Sequence, residues 1–472
     1  MVASAALLAA LAPASAAASG LDLYGAGSRS GAMGTASAGV SSGHLALFSN
    51  PAGMLRTGST VGLSFGSSFD GARIALADRP AGYDLPDLGP SSPAIPTDAR
   101  LRPRSDTRGL NDMWSVTVGG ASDLGVDWLR VGALAFLPVD SAGTQRSVFH
   151  DEREQYFSNR LHFDLLDTRN QHQVILTGAA VRVTDWLSVG AALSFMPRVE
   201  GTNRIYMESA ADQENIELTM DISQSARWRP ILGITVTPTA GVSLAATFRD
   251  AQLMRMETVN EIQIRGLHTS DPFPLEQVLD VTTNYSPRQV VFGIAWDAPV
   301  ALLAFDWAYT VWSAYPGDDG HTAGFDDTFS ARLGVEAPIM PGHVVRTGFA
   351  WEPSPVPRQP GRTNYVDNDR ILLSVGSGHT LPVGESRLEL GWHLQLHALV
   401  TRTERKDVLD TYPACADGVR TLCDEIADDR VNPATGQPWP EAQGLQTGNP
   451  GFPGWTSGGW IGSAGVEAIW NF

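Results

Sequence analysis

The residues of this 472-residue chain whose types suit chemistry are few and widely spaced. Ser330 and His393 offer a nucleophile and a base, but neither stands in a local motif that would bring them together, as acyl transfer requires. His393 and His397 alternate onto one face of an extended segment. Four residues along a strand separate them by about 13 Å, too far to share a metal ion. A solvated interior is the expected setting for both. No catalytic residue, metal site or cofactor is assigned. Arg332 and Arg346 suit another task, since a guanidinium matches a carboxylate ligand. The alternative is that Glu336, Glu389 or Glu467 neutralises them. Cys415 and Cys423 are the only cysteines and have no Cys/His neighbours of a metal cluster. Export makes a disulfide between them the expectation, and a free pair the alternative. Asp318-Asp319 and Asp428-Asp429 read as solvated loop charge, with calcium the sharper alternative.

The elements that carry these residues are strands. From Ser59 onward, segments of about ten residues alternate apolar with small or polar positions. Leu388, Leu390, Trp392, Leu394, Leu396 and Ala398 share one face, and Glu389, Gly391, His393, Gln395 and His397 the other. In the last segment Trp460 and Trp470 bound an apolar face. Ten strand residues tilted near 45° rise roughly 23 Å, matching the apolar band and aromatic girdles of an outer-membrane barrel. Charge falls on the second face throughout, so the pattern is a barrel turned inside out, with lipid outside and closure removing the sheet edges.

Six short turns alternate with seven long polar connectors, which gives an all-β, 14-stranded antiparallel barrel. The connectors include Gly71–Asp112, Arg198–Asn215, Gly266–Gln277, Pro353–Asp369 and Thr403–Gly458. The third strand covers about Trp128–Val139, with Pro138 at its outer end. The balance of 33 Lys+Arg against 51 Asp+Glu, a net charge of −18, argues against nucleic-acid binding. No P-loop or other sign of ATP use is present.

Residues 1–18 read as a secretory signal peptide, with an apolar run and a small-x-small site at Ala14-Ser15-Ala16, though no Lys or Arg follows Met1. Residues 19–58 lack strand alternation, are rich in Gly, Ala and Ser, and cannot build a core of their own. They suit a plug resting inside the barrel of residues 59–472. The chain stops on Phe472 within a strand, which resembles the signal read by the outer-membrane barrel assembly machinery.

The N-terminal segment resembles the hatch of the FadL-type long-chain fatty-acid and hydrocarbon transporters. The resemblance rests on GLDLYGAG, SGAMGTASAG and LFSNPAGM, and continues through SPRQVVFGIAWD, FDWAYTVWSAY and RTGFAWEPSPVP. It implies a hatch in the lumen of a 14-stranded barrel and passive uptake of a hydrophobic small molecule. A kink in the third strand then allows sideways exit. On this reading Leu21, Leu23, Leu45, Leu47 and Phe48 contact ligand, or alternatively seat the plug. Asn50, Pro51, Ala52 and Gly53 fix the hatch turn, and Arg332 and Arg346 meet a ligand carboxylate. The partners are the ligand, outer-membrane lipid and lipopolysaccharide, and the barrel a monomer. An alkane or aromatic hydrocarbon cargo, or an adhesive or structural barrel, stands as the alternative.

Overall fold

The computed structural model describes residues 20–77, 107–108, 112–139, 173–207, 216–264, 273–316, 323–360, 363–406 and 454–472. Residues 1–18, both cysteines and both acidic pairs lie outside them.

In chain order the strands are β1 (Thr60–Asp70), β2 (Arg73–Leu76), β3 (Thr107–Arg108), β4 (Met113–Ser122), β5 (Leu129–Pro138), β6 (Val174–Thr184), β7 (Leu187–Met207), β8 (Ile216–Thr239) and β9 (Val242–Arg249). They continue as β10 (Gln252–Ile264), β11 (Phe273–Ser286), β12 (Arg288–Asp297), β13 (Leu302–Val311), β14 (Thr328–Met340), β15 (His343–Glu352), β16 (Arg370–Val383), β17 (Ser386–Arg405) and β18 (Gly454–Asn471). Fourteen of these form the wall, each antiparallel to its neighbours, and β1 closes the circle by pairing with both β18 and β4. The other four, β2, β3, β10 and β11, stand on the long-connector side.

The alternation has a physical cause on both faces. Phe65, Trp307, Leu333, Phe349, Leu394 and Trp460 are exposed on the outside, where lipid covers them, while Asp306, Arg332, Ser374 and Gln395 are buried inside.

Two connectors are shorter than the sequence suggests. β7 and β8 pair as far as Met207↔Ile216, through most of Arg198–Asn215, and β11 begins at Phe273 within Gly266–Gln277. The strand expected to run on from Val242 instead breaks at Asp250 and Ala251, the latter opposite Pro287, which has no N–H to offer the ladder. Asp250 accepts from Ala251 N at 2.9 Å and from Arg288 Nε at 3.0 Å, which fixes the corner. Beyond it the hairpin β10–β11 leaves the wall and β10 pairs in parallel with β7, Met256 opposite Val199.

The third wall strand, β5, is a complete ladder. It pairs with β4 from Val131↔Ser122 to Leu137↔Val116 and Pro138↔Ser115, and with β6 from Leu129↔Val181 to Phe136↔Val174, with no register shift. Pro138 ends the strand and does not kink it.

At the mouth, Tyr285, Trp312, Tyr315, Phe325, Val356 and Tyr365 form one aromatic cluster. Residues 353–360 and 363–369 of the connector are held over it. Gln359 and the Tyr365 backbone exchange two hydrogen bonds of 2.7 Å, and Asn368 Nδ2 donates to Val400 O and Ser457 Oγ. Nearby Lys406 donates to Thr363 O and lies 4.8 Å over the Trp455 ring. Burial pushes its ammonium down to about 7.

Candidate functional site

Residues 20–56 lie inside the wall. They form α1 (Gly20–Tyr24), α2 (Gly27–Ala32), a turn at Gly43–Leu45, α3 (Ala46–Ser49) and a 3₁₀ segment at Pro51–Arg56. Helices this short hold only by tertiary contact. Part of that contact is apolar. Leu21, Leu23, Leu45, Leu47 and Phe48 are all buried, in one cluster with the inward wall residues Leu134, Phe136, Leu176, Ile231 and Ile461.

The rest is polar, and it comes from wall side chains that answer plug backbone groups. Asp306 Oδ2 accepts from Ser37 N at 2.7 Å and Ala38 N at 2.9 Å. Ser374 Oγ accepts from Gly34 N and donates to Ala32 O. Gln395 Nε2 donates to Tyr24 O and Gly31 O. Glu467 Oε2 accepts from Ser28 N at 3.1 Å and Ser64 Oγ at 3.0 Å. The inward polar face of each strand therefore satisfies a segment that has no sheet of its own.

Asn50-Pro51-Ala52-Gly53 shows why each residue type is needed. Asn50 is fully buried. Its Oδ1 caps the following turn at Ala52 N, and Nδ2 donates to Ala38 O, Ile234 O and Thr235 Oγ1. Pro51 occupies the first helical position, where no N–H is missed. A Cβ on Gly53 would press on Ser41 O, and Cβ atoms on Gly190 or Gly233 of the wall would strike Pro51 or Asn50. Asn50→Ala loses the cap and three donor contacts. It is expected to loosen the plug by about 2 kcal/mol. Faster proteolysis at Arg29 and Arg56, with the heat-modifiable gel shift of the barrel intact, would check this.

The plug divides the lumen. On the long-connector side is a cavity. Leu23, Phe48, Val174, Leu176, Ile231 and Trp312 give it an apolar wall, and Arg229, Arg249, Arg332 and Arg370 line its other side with Asp22, Asp250 and Glu352. On the short-turn side lies a second cavity, lined by Arg29, Glu336, Arg346, Glu389, Glu467 and several serines.

No family model matches the chain. A long-chain fatty acid transport protein of Escherichia coli is 31% identical over 106 residues, 20% of this chain and 24% of that protein. Alkane uptake protein A of Marinobacter nauticus is 28% identical over 170 residues, 32% of this chain and 36% of that protein. The match thus spans between a quarter and somewhat over a third of these curated relatives. Among solved structures, a FadL homologue of Pseudomonas aeruginosa overlays with a TM-score of 0.52 at 12% identity, covering 98% of this chain and 99% of that one. The P. putida toluene transporter TodX gives 0.53 at 13% identity, covering 96% and 99%. Likeness at that identity speaks to the fold. It covers nearly the whole chain, and the curated matches supply kinship in sequence.

The chain has the fold of the FadL-type outer-membrane barrels.

Within this barrel the two arginines singled out from sequence lie on opposite sides of the plug. Arg346 is in the short-turn cavity and donates through Nε to Glu336 at 2.6 Å. Arg29 of the plug grips the same carboxylate at 2.8 Å, so Glu336 ties plug to wall. Arg332 is in the other cavity, where Glu352 lies 3.2 Å from it and 3.3 Å from Arg370. One carboxylate serves two buried guanidiniums. Arg332 Nε and Arg370 Nε and Nη1 have no hydrogen-bond acceptor. Arg249, paired with Asp22 at 2.8 Å and lying 4.3 Å over the Phe48 ring, completes the group.

Leu23 and Phe48 border the arginine-lined cavity and Leu45 the other, whereas Leu21 and Leu47 pack into the shared core. Arg249 and Arg370 were not singled out from sequence. Arg249 has the strand parity of the inward residues Ala245 and Thr247, which is the signal that marks it.

His393 and His397 are packed, not solvated. His393 abuts Gly31, and His397 meets the Tyr24 ring edge-on at 5.6 Å. The plug fills the space that alternation alone assigns to water. Two sequences of the form GxSxG, at Gly39–Gly43 and Gly62–Gly66, carry no hydrolase elbow. Ser41 is buried in the plug and Ser64 donates to Glu467 in mid-strand.

Proposed function

We propose that this FadL-type barrel takes up long-chain carboxylic acids, passively, through the arginine-lined cavity and past a movable plug. One observation carries the reading. Three buried guanidinium N–H groups, on Arg332 and Arg370, point at no acceptor beside an apolar wall. A carboxylate supplies the acceptor, and its tail meets Leu23, Phe48, Leu176 and Ile231. Each buried CH₂ contributes about 0.8 kcal/mol. A neutral hydrocarbon gains the second term alone.

Passage requires the plug to shift and join the two cavities. The axial route is favoured by the wall itself, because sideways exit beside β5 would break a complete ladder on both of its edges. With no energy source, net flow follows the gradient that consumption inside maintains.

The test is uptake of labelled oleate and labelled toluene by cells lacking their own transporter. Arg332→Gln and Arg370→Gln should each weaken oleate capture by roughly ten- to a hundredfold, the worth of a charge-assisted hydrogen bond. Toluene entry should not change. Oleate uptake at the wild-type rate in both variants would remove the carboxylate reading. Toluene entry alone in the wild type would move the assignment to hydrocarbons.

A further inference from the structure

On the outer side of the wall, at its short-turn end, two histidines and a methionine stand on three adjacent strands. β14 and β15 are joined by Pro341-Gly342, and the flanking residues Met340 and His343 are direct cross-strand partners. His343 is also the direct partner of His379 on β16. Direct partners across an antiparallel pair point the same way, with Cβ atoms about 4.5–5.5 Å apart.

These residues point outward. His343 has the strand parity of exposed Val345 and Phe349, and His379 that of exposed Leu373 and Val375. Met340 gains the same face through an irregularity. On β14 the outward residues, Phe329 and Leu333, are odd-numbered, so an even-numbered Met340 would point inward. The register shifts between Pro338 and Met340, which makes Ile339 an extra residue and turns Met340 outward, 60% exposed.

The imidazole geometry is that of a chelating pair. His343 Nδ1 and His379 Nδ1 are 3.3 Å apart, with ring centroids at 5.4 Å. Two nitrogens bound to one tetrahedral ion at ~2.0–2.1 Å are separated by about 3.4 Å. Ser377 Oγ sits 3.1 Å from His343 Nε2. If Nε2 donates to that hydroxyl, the His343 Nδ1 lone pair faces His379, the usual outer-shell support of a ligating histidine. Among the described residues no three His, Cys, Asp or Glu side chains group around a metal position, and the cross-strand neighbour that could supply a third donor to the histidine pair is the thioether of Met340. Imidazole with thioether favours a soft, monovalent ion.

We propose that Met340, His343 and His379 form a binding site for cuprous copper on the outer rim of the barrel at its periplasmic end. Short turns face the periplasm in this barrel class. The ion takes the place of the hydrogen between the two Nδ1 atoms. That hydrogen moves to His379 Nε2, so neutral rings release no proton and nothing is oxidised. A hydrogen-bonded histidine pair alone would leave the re-aimed thioether without a purpose.

The test uses the full-length folded barrel in detergent, titrated anaerobically with Cu(I) against a chromogenic chelator and, separately, with Zn(II). Wild type should hold one Cu(I). His343→Ala and His379→Ala should each lose it within the range of the assay. Met340→Leu should weaken Cu(I) by at least tenfold and leave any Zn(II) binding unchanged. The heat-modifiable gel shift verifies folding of every variant. No Cu(I) held by the wild type, or the same Cu(I) affinity after His379→Ala, would overturn the site. Equal Cu(I) affinity in Met340→Leu would overturn the cuprous assignment.

Discussion

Gly348→Val is expected to drive the plug out of the barrel. Gly348 lies inward on β15, and a Cβ there would collide with Gly34 N and Met33 C, both backbone atoms. Neither can rotate aside. Gly34 is held at a φ of +62° and donates to Ser374 Oγ at 2.9 Å, and Thr35 beside it also has a positive φ. Overpacking a closed site costs about 1–3 kcal/mol with a single extra methylene, and a branched side chain against backbone costs more. The wall itself should tolerate the change, since the Gly348 pairs with Gly334 and Ser374 involve only backbone. Planar-bilayer recordings should show a persistent open conductance that wild type lacks. Proteolysis at Arg29 should accelerate to match. Thr347→Val, one residue along and facing lipid, is the control. If Gly348→Val leaves both readouts at wild-type values, the plug does not depend on that contact.

Asp306→Ala is expected to free the middle of the plug without evicting it. Asp306 is 1% exposed and its Oδ2 is the acceptor for two successive backbone amides. Alanine takes away the acceptor of both buried donors, at about 1–3 kcal/mol for each group left unsatisfied. Hydrogen exchange at Ser37 and Ala38 should rise roughly ten- to a hundredfold or more. Amides of β13 should stay protected. Asp306→Asn keeps an acceptor and should fall between. Protection at Ser37 and Ala38 that survives in the alanine variant would mean another group holds this turn.

The wall was legible because its cause is local. Lipid outside and polar contacts inside impose a period of two on every strand, and Leu388–Ala398 displays it without help from any other segment. What was not legible depends on partners far away in sequence. Nothing around Asp250 announces that β10 will turn from the wall to lie parallel to β7, because that depends on Pro287 and Val199 together. The inward histidines look like lumen residues until Tyr24 and Gly31 are placed against them. Arg332 and Arg346 have the same parity and the same chemistry. Only their height relative to the plug separates an arginine short of acceptors from one locked to Glu336. Arg370 opens its strand directly after Asp367 and Asp369, and its link to Glu352 needs the β15–β16 register.

The Ser28–Glu467 hydrogen bond joins residues 439 apart in sequence. Gln395 and Ser374 likewise reach across more than 300 positions to α2 and the turn after it. These plug partners therefore come from the last strands made. The segment that emerges first must wait, unsatisfied, until β16, β17 and β18 are in place. Loop-closure entropy makes such distant contacts slow to form. Topology thus requires that these plug contacts form no earlier than β16, β17 and β18 themselves. Residues 20–58 therefore fill the lumen in two ways, with a Gly-, Ala- and Ser-rich backbone that the wall's polar side chains satisfy and with the leucines and Phe48 that join the apolar core.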